Sequence, residues 1–128
     1  MARYFAVILL FLGANALFGQ DQAPSKPKQF VYVLHLVSRL YDQQAWSKDD
    51  AAAIERHFNR LKEATERGQV IFAGRTDEPG DKTFGLVVFE AKDQAAASEF
   101  MNADPAITAG VMTAELHPFL LVLARKNP

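Results

Sequence analysis

Three histidines and one Asp-Pro pair are the residues here with chemistry to offer. His57 falls three residues after Ile54 and four before Leu61, so on a helix it sits on or beside the apolar stripe. An imidazole there titrates near neutral pH and can act as a general base or acid. The same position also suits a partly buried histidine bonded to a backbone carbonyl. Asp104 precedes Pro105, the pattern of a helix N-cap with proline at the first helical position, and its carboxylate takes up the free N–H groups of that turn. Glu115 and His117 are two apart and share a strand face with Val111, Thr113 and Phe119, while His35 shares one with Val31, Val33 and Val37. Arg75 alternates with Ala73 on its strand. If His35, Arg75, Glu115 and His117 point into a space between two sheets, they line a ligand pocket, where the arginine suits a carboxylate or phenolate. Otherwise Glu115 and His117 face solvent or pair across a dimer. The three histidine positions match no metal-ligand spacing, so neither a metal nor a cofactor is expected.

Composition narrows the function classes. The chain has 128 residues, 14 basic and 15 acidic side chains, and no cysteine. That excludes disulfide scaffolds, thiolate metal sites and thiol catalysis. The balanced charge gives no electrostatic footprint for nucleic acid. Met1 to Gly19 carries a single charge, Arg3, then an apolar run to Leu12 and small residues at Gly13, Ala14, Ala16 and Gly19. This is the pattern of a secretory signal, with cleavage after Ala16 or after Gly19. The run is interrupted too early for a spanning helix, which needs about 20 apolar residues. Residues 1–19 are therefore expected to be a signal peptide, 20–29 a polar linker with Pro24 and Pro27, and 30–124 the folded domain of an exported protein. Once the signal is removed, no membrane association is expected.

The elements that must position these residues follow from periodicity. Phe30 to Val37 is apolar on both sides, as in a strand covered on both faces. Ser47, with Asp50 three residues on, predicts the start of a helix whose stripe is Ile54, Phe58, Leu61 and Ala64 or Thr65, ended by Gly68. Val70 to Ala73 is a short strand, Thr76 to Lys82 a turn, and Phe84 to Phe89 again apolar on both sides. A second helix begins near Asp93 and is interrupted at Asp104-Pro105, and Val111 to Leu123 reads as a long final strand. Trp46 is expected to brace the Ser47 cap, and the charged run from Glu55 to Arg67 to form a solvated face. The order βαββαβ predicts an α+β, ferredoxin-like fold: one four-stranded antiparallel sheet with both helices on one face. Two strands apolar on both faces leave an uncovered patch that a soluble monomer rarely tolerates. Two sheets packed face to face as a homodimer resolve that conflict.

The sequence then resembles the YCII-related (YciI-like) domain family. His57-Phe58-Asn59-Arg60-Leu61 and Glu66-Arg67-Gly68-Gln69-Val70-Ile71-Phe72-Ala73-Gly74 look like the first half of such a domain, and Phe84-Gly85-Leu86-Val87-Val88-Phe89-Glu90-Ala91 like its third strand. Asn102-Ala103-Asp104-Pro105-Ala106-Ile107-Thr108-Ala109-Gly110-Val111 is the most specific block, followed by Glu115-Leu116-His117-Pro118. The resemblance implies a ferredoxin-like fold dimerised as an α+β barrel, and a catalytic pair corresponding to His57 and Asp104. In that pairing the capped carboxylate also fixes the imidazole tautomer, as the orienting acid does in a triad. No nucleophile is placed beside them, so the expected chemistry is proton transfer on a small molecule without a cofactor. The alternative expectation is a non-catalytic module that binds a small ligand or supports dimerisation.

Overall fold

The computed structural model describes residues 25–126. The expected signal peptide and the first part of the linker lie outside the described residues. Seven regular elements follow: β1 (Lys28–Leu36), α1 (Lys48–Glu66), β2 (Val70–Arg75), β3 (Gly85–Ala91), α2 (Gln94–Asn102), α3 (Pro105–Thr108) and β4 (Met112–Pro118). The strands form one antiparallel sheet in the order β2-β3-β1-β4. This is the α+β, ferredoxin-like arrangement that the element order predicts.

Local chemistry explains where the helices begin and end. Ser47 and Asp50 form a reciprocal capping box at the start of α1, with Asp50 N–H donating to Ser47 Oγ at 3.1 Å and Ser47 N–H to Asp50 Oδ2 at 2.9 Å. Arg39 grips the same carboxylate with both terminal guanidinium nitrogens, Nη2 at 2.7 and Nη1 at 2.9 Å. The Arg39 hydrogen bonds, followed by the Ser47 N–H, hold the Asp50 carboxyl well below the usual carboxylate range. Trp46 braces this corner by donating Nε1–H to the Leu40 carbonyl at 3.0 Å. Gly68, at φ +82°, takes the left-handed conformation that ends α1.

The helices cover one face of the sheet. Phe30, Tyr32, Leu34, Val87 and Phe89 from the strands pack with Leu61 and Ala64 of α1 and Ala97 of α2. A second cluster of Leu40, Ala53, Ala106 and Val111 pins α3 and the start of α1 to the end of β1. The buried stripe of α1 is not the one its largest side chains suggest. Ala53, Leu61 and Ala64 are buried, whereas Phe58 is 65% exposed. The stripe runs one residue earlier, which turns His57 inward and Phe58 outward.

Two other expectations are corrected. The final strand stops at Pro118 rather than Leu123, because β1 begins at Lys28 and offers little to pair with beyond it. Only the Phe119 N–H continues the ladder, donating to the Gln29 carbonyl at 2.9 Å. In β2 a bulge between Val70 and Phe72 inserts one residue. Val70 lies opposite Phe89 on the covered face, but Phe72 lies opposite Val88 on the open face. Past the bulge the alternation is inverted. Arg75 therefore lies opposite Gly85, whose missing Cβ would meet Leu34 Cβ, on the covered side.

Candidate active site

Asp104 is the point where three parts of the chain meet. After α2 ends at Asn102, the backbone turns extended at Asp104 and re-enters a helix at Pro105. The carboxylate is fully buried. Its Oδ1 accepts the Ala106 N–H at 3.0 Å, as an N-cap should. Its Oδ2 accepts the Tyr32 hydroxyl of β1 at 2.8 Å. His57 Nδ1 of α1 lies 2.7 Å from Oδ1 and 2.8 Å from Oδ2, aimed into the fork of the carboxylate. The expected His57–Asp104 juxtaposition is thus present, at charge-assisted hydrogen-bond distance.

The electrostatics follow from this set of donors. Burial pushes the Asp104 carboxyl up, but the His57 hydrogen bond and charge, the Ala106 N–H and the Tyr32 hydroxyl together bring it below its ordinary value. The group is therefore an anion in the folded protein. Burial first, then the Asp104 charge and hydrogen bond, push Tyr32 far above the usual phenol range, with Arg60 opposing. Tyr32 is fixed as a donor and is no acid or nucleophile at physiological pH.

An ionised acceptor dictates the imidazole tautomer. His57 must present Nδ1–H to Asp104, which leaves Nε2 with the lone pair when the ring is neutral. The His57 side chain is 13% exposed. Among the described residues Nε2 has no hydrogen-bond partner, so it is the ring nitrogen left available to a small molecule. A base at Nε2, backed by a buried carboxylate, can take a proton from a small molecule at the surface and return it.

The other expected ligand-binding residues lie elsewhere. His35, at the exposed end of β1 opposite Thr113, has its ring 6.1 Å from Phe84. Glu115 and His117 are both exposed, lie opposite Val33 and Val31, and approach each other to 3.8 Å. These three line the open face, across the sheet from His57. Arg75 does not join them, and its Nη1 donates to the carbonyl of its neighbour Thr76 at 3.4 Å. Among the described residues no group of three or more His, Cys, Asp or Glu could hold a metal ion.

Two members of the site escaped the sequence reading, Tyr32 and Arg60. Tyr32 carries a signal in retrospect, as the one hydroxyl on the Phe30-Tyr32-Leu34 face, since a buried phenol needs a partner. Arg60 sits three residues after His57, within reach on a helix, but was hidden in the charged run.

The fold and this corner define a class: a small α+β domain of ferredoxin-like topology with an imidazole–carboxylate pair between its helical layer and its sheet. The chain matches the model of the YCII-related domain family over residues 33–119 and belongs to that family. No curated protein matches it.

Because the folded carboxyl lies below its ordinary value, its contribution to stability is present above the usual carboxylate range and is lost as pH falls through the folded value. Asp104→Asn is expected to be clearly less stable than wild type near pH 7, with the gap narrowing as pH falls below the ordinary carboxylate range, in urea unfolding followed by circular dichroism. Tyr32→Phe, which removes one buried donor, is expected to cost about 1–2 kcal/mol at neutral pH.

Proposed function

We propose that this YCII-related domain protein is an exported, cofactor-independent enzyme in which His57 moves a proton on a small molecule. The observation that carries the reading is the direct bond from His57 Nδ1 to a buried, ionised Asp104, which leaves Nε2 without a partner among the described residues. Asp104 fixes the tautomer and stabilises the imidazolium that forms when Nε2 takes up a proton. The hydrogen-bond partners of the pair are Tyr32 and the Ala106 N–H, with no activated nucleophile among them, and the reading is proton abstraction and return rather than acyl transfer. The test is deuterium uptake by a panel of small carbon acids, carboxylates and phenols among them, followed by proton NMR. His57→Gln is expected to reduce any exchange that the wild type catalyses by about a hundredfold or more. Exchange that survives this change intact would overturn the reading in favour of a ligand-binding or dimerisation module.

The protein is further proposed to act as a homodimer through its open sheet face. Val31 and Val33 are only half-buried, and Phe72 on the same face is 45% exposed. A second sheet laid on this apolar centre would remove it from water. It would also enclose His35, Glu115 and His117 between the sheets. Light scattering at micromolar concentration is expected to give the mass of two chains, and a monomer at that concentration would sink the proposal.

Export rests on the leader sequence, and no helix among the described residues is long and apolar enough to cross a membrane. The intact mass of protein recovered from an exporting host is expected to correspond to a chain starting at Leu17 or at Gln20. Recovery of the chain with Met1 still in place would refute it.

A further inference from the structure

Arg60 is the charged side chain at this site that proton transfer at His57 leaves without a task. Its guanidinium lies over the Phe100 ring, with Cζ 4.2 Å from the centroid. Nη2 donates to the Phe100 carbonyl at 2.7 Å, a cation set at the C-terminal end of α2. These contacts use the face of the fork and one of its nitrogens. They do not account for Nη1, which is closed off from solvent and has no hydrogen-bond partner, alone in this among the described side-chain nitrogens and oxygens. Asp104 Oδ2 lies 3.9 Å from it, and the guanidinium is also near enough to the Tyr32 hydroxyl, itself a donor to Asp104, to favour that group's charged form. A desolvated donor is costly unless something offsets it, and an anion at that distance does.

We infer that Arg60 is the standing counter-ion of Asp104, a positioning residue that keeps this carboxylate charged while His57 passes its proton to and fro. The inference rests on the proton-transfer reading of His57. With the ring protonated, His57 and Asp104 neutralise each other. With the ring neutral, His57, Tyr32 and Ala106 offer the buried carboxylate only dipoles, and a buried anion without a cation tends to take up a proton. Protonation of Asp104 would cost it the acceptor that fixes the His57 tautomer. Arginine stays charged throughout. The titratable groups at the carboxylate are His57 and Arg60 from α1 and Tyr32 from β1, while α2 contributes the uncharged Phe100. Arg60 thus acts on His57 through Asp104.

The test is a set of double-mutant cycles read by urea unfolding near neutral pH. Arg60→Met is expected to raise the unfolding constant roughly tenfold in the wild type, about threefold or less in Asp104→Asn, and more than roughly tenfold in His57→Gln, where Arg60 is the last cation left. Arg60→Lys is expected to keep most of the coupling to Asp104. Equal effects of Arg60→Met in the wild-type and Asp104→Asn backgrounds would overturn the inference, leaving Arg60 as a cap and stacking partner for α2. If Arg60→Met does not fold, Arg60→Lys against Arg60→Gln in the same backgrounds decides it by the same criterion. The cycle reads a charge coupling and the exchange assay reads His57, so either can fail without the other.

Discussion

A carboxylate taken wholly out of water must be surrounded by donors, and the helical side of this molecule is organised by that demand. Asp104 is fully buried, and an uncompensated ion in such a place costs several kcal/mol. The compensation comes from far along the chain: Tyr32 is 72 residues away and His57 is 47. Only the Ala106 N–H is local. The bonds that let the anion be buried also fasten β1, α1 and the α2–α3 corner to one point. Packing the layer onto the sheet and assembling the imidazole–carboxylate pair therefore draw on the same bonds. The same exclusion of water that makes the anion costly strengthens its hold on the imidazole.

This dependence explains which parts of the molecule were legible in the sequence. Short-range chemistry was plain. The Ser47–Asp50 box, the Asp104 cap and the left-handed Gly68 each rest on neighbours within a turn, and each is present. Strand order followed from alternation and turn placement. The face of α1 was less legible, because two stripes fit its apolar residues almost equally. One passes through Ile54, Phe58 and Leu61, the other through Ala53, His57 and Leu61. Hydrophobicity favours the first, since it contains a phenylalanine. The structure takes the second, in which the ring of His57 meets a charge buried 47 residues away. A single-sequence periodicity cannot contain that partner.

Arg75 and the last strand were misjudged for a different reason. Alternation along a strand is reliable only while pairing is regular, and one bulged residue inverts it for everything beyond. Nothing in Val70-Ile71-Phe72 announces the bulge, because all three residues suit either face. The apolar run after Pro118 likewise has good strand composition but, among the described residues, no strand beside it to pair with. Composition measures willingness to form a ladder, and the length of the neighbouring strand decides whether there is one.

The two faces of the sheet carry different sets of side chains, yet they are joined through one strand. His57 and Asp104 lie on the helical side, while Val31, Val33, Glu115 and His117 face the other way. His57 therefore lies on the opposite side of the sheet from any space that a second sheet would enclose. β1 nevertheless serves both sides. Tyr32, which donates to Asp104, sits between Val31 and Val33, whose side chains point to the open face. Covering that face would restrict the two residues flanking Tyr32 and so hold its hydroxyl more firmly on the carboxylate. Association on one side of the sheet and the orientation of an imidazole on the other would then be coupled through three consecutive residues of the central strand, without any contact between the interface and the site.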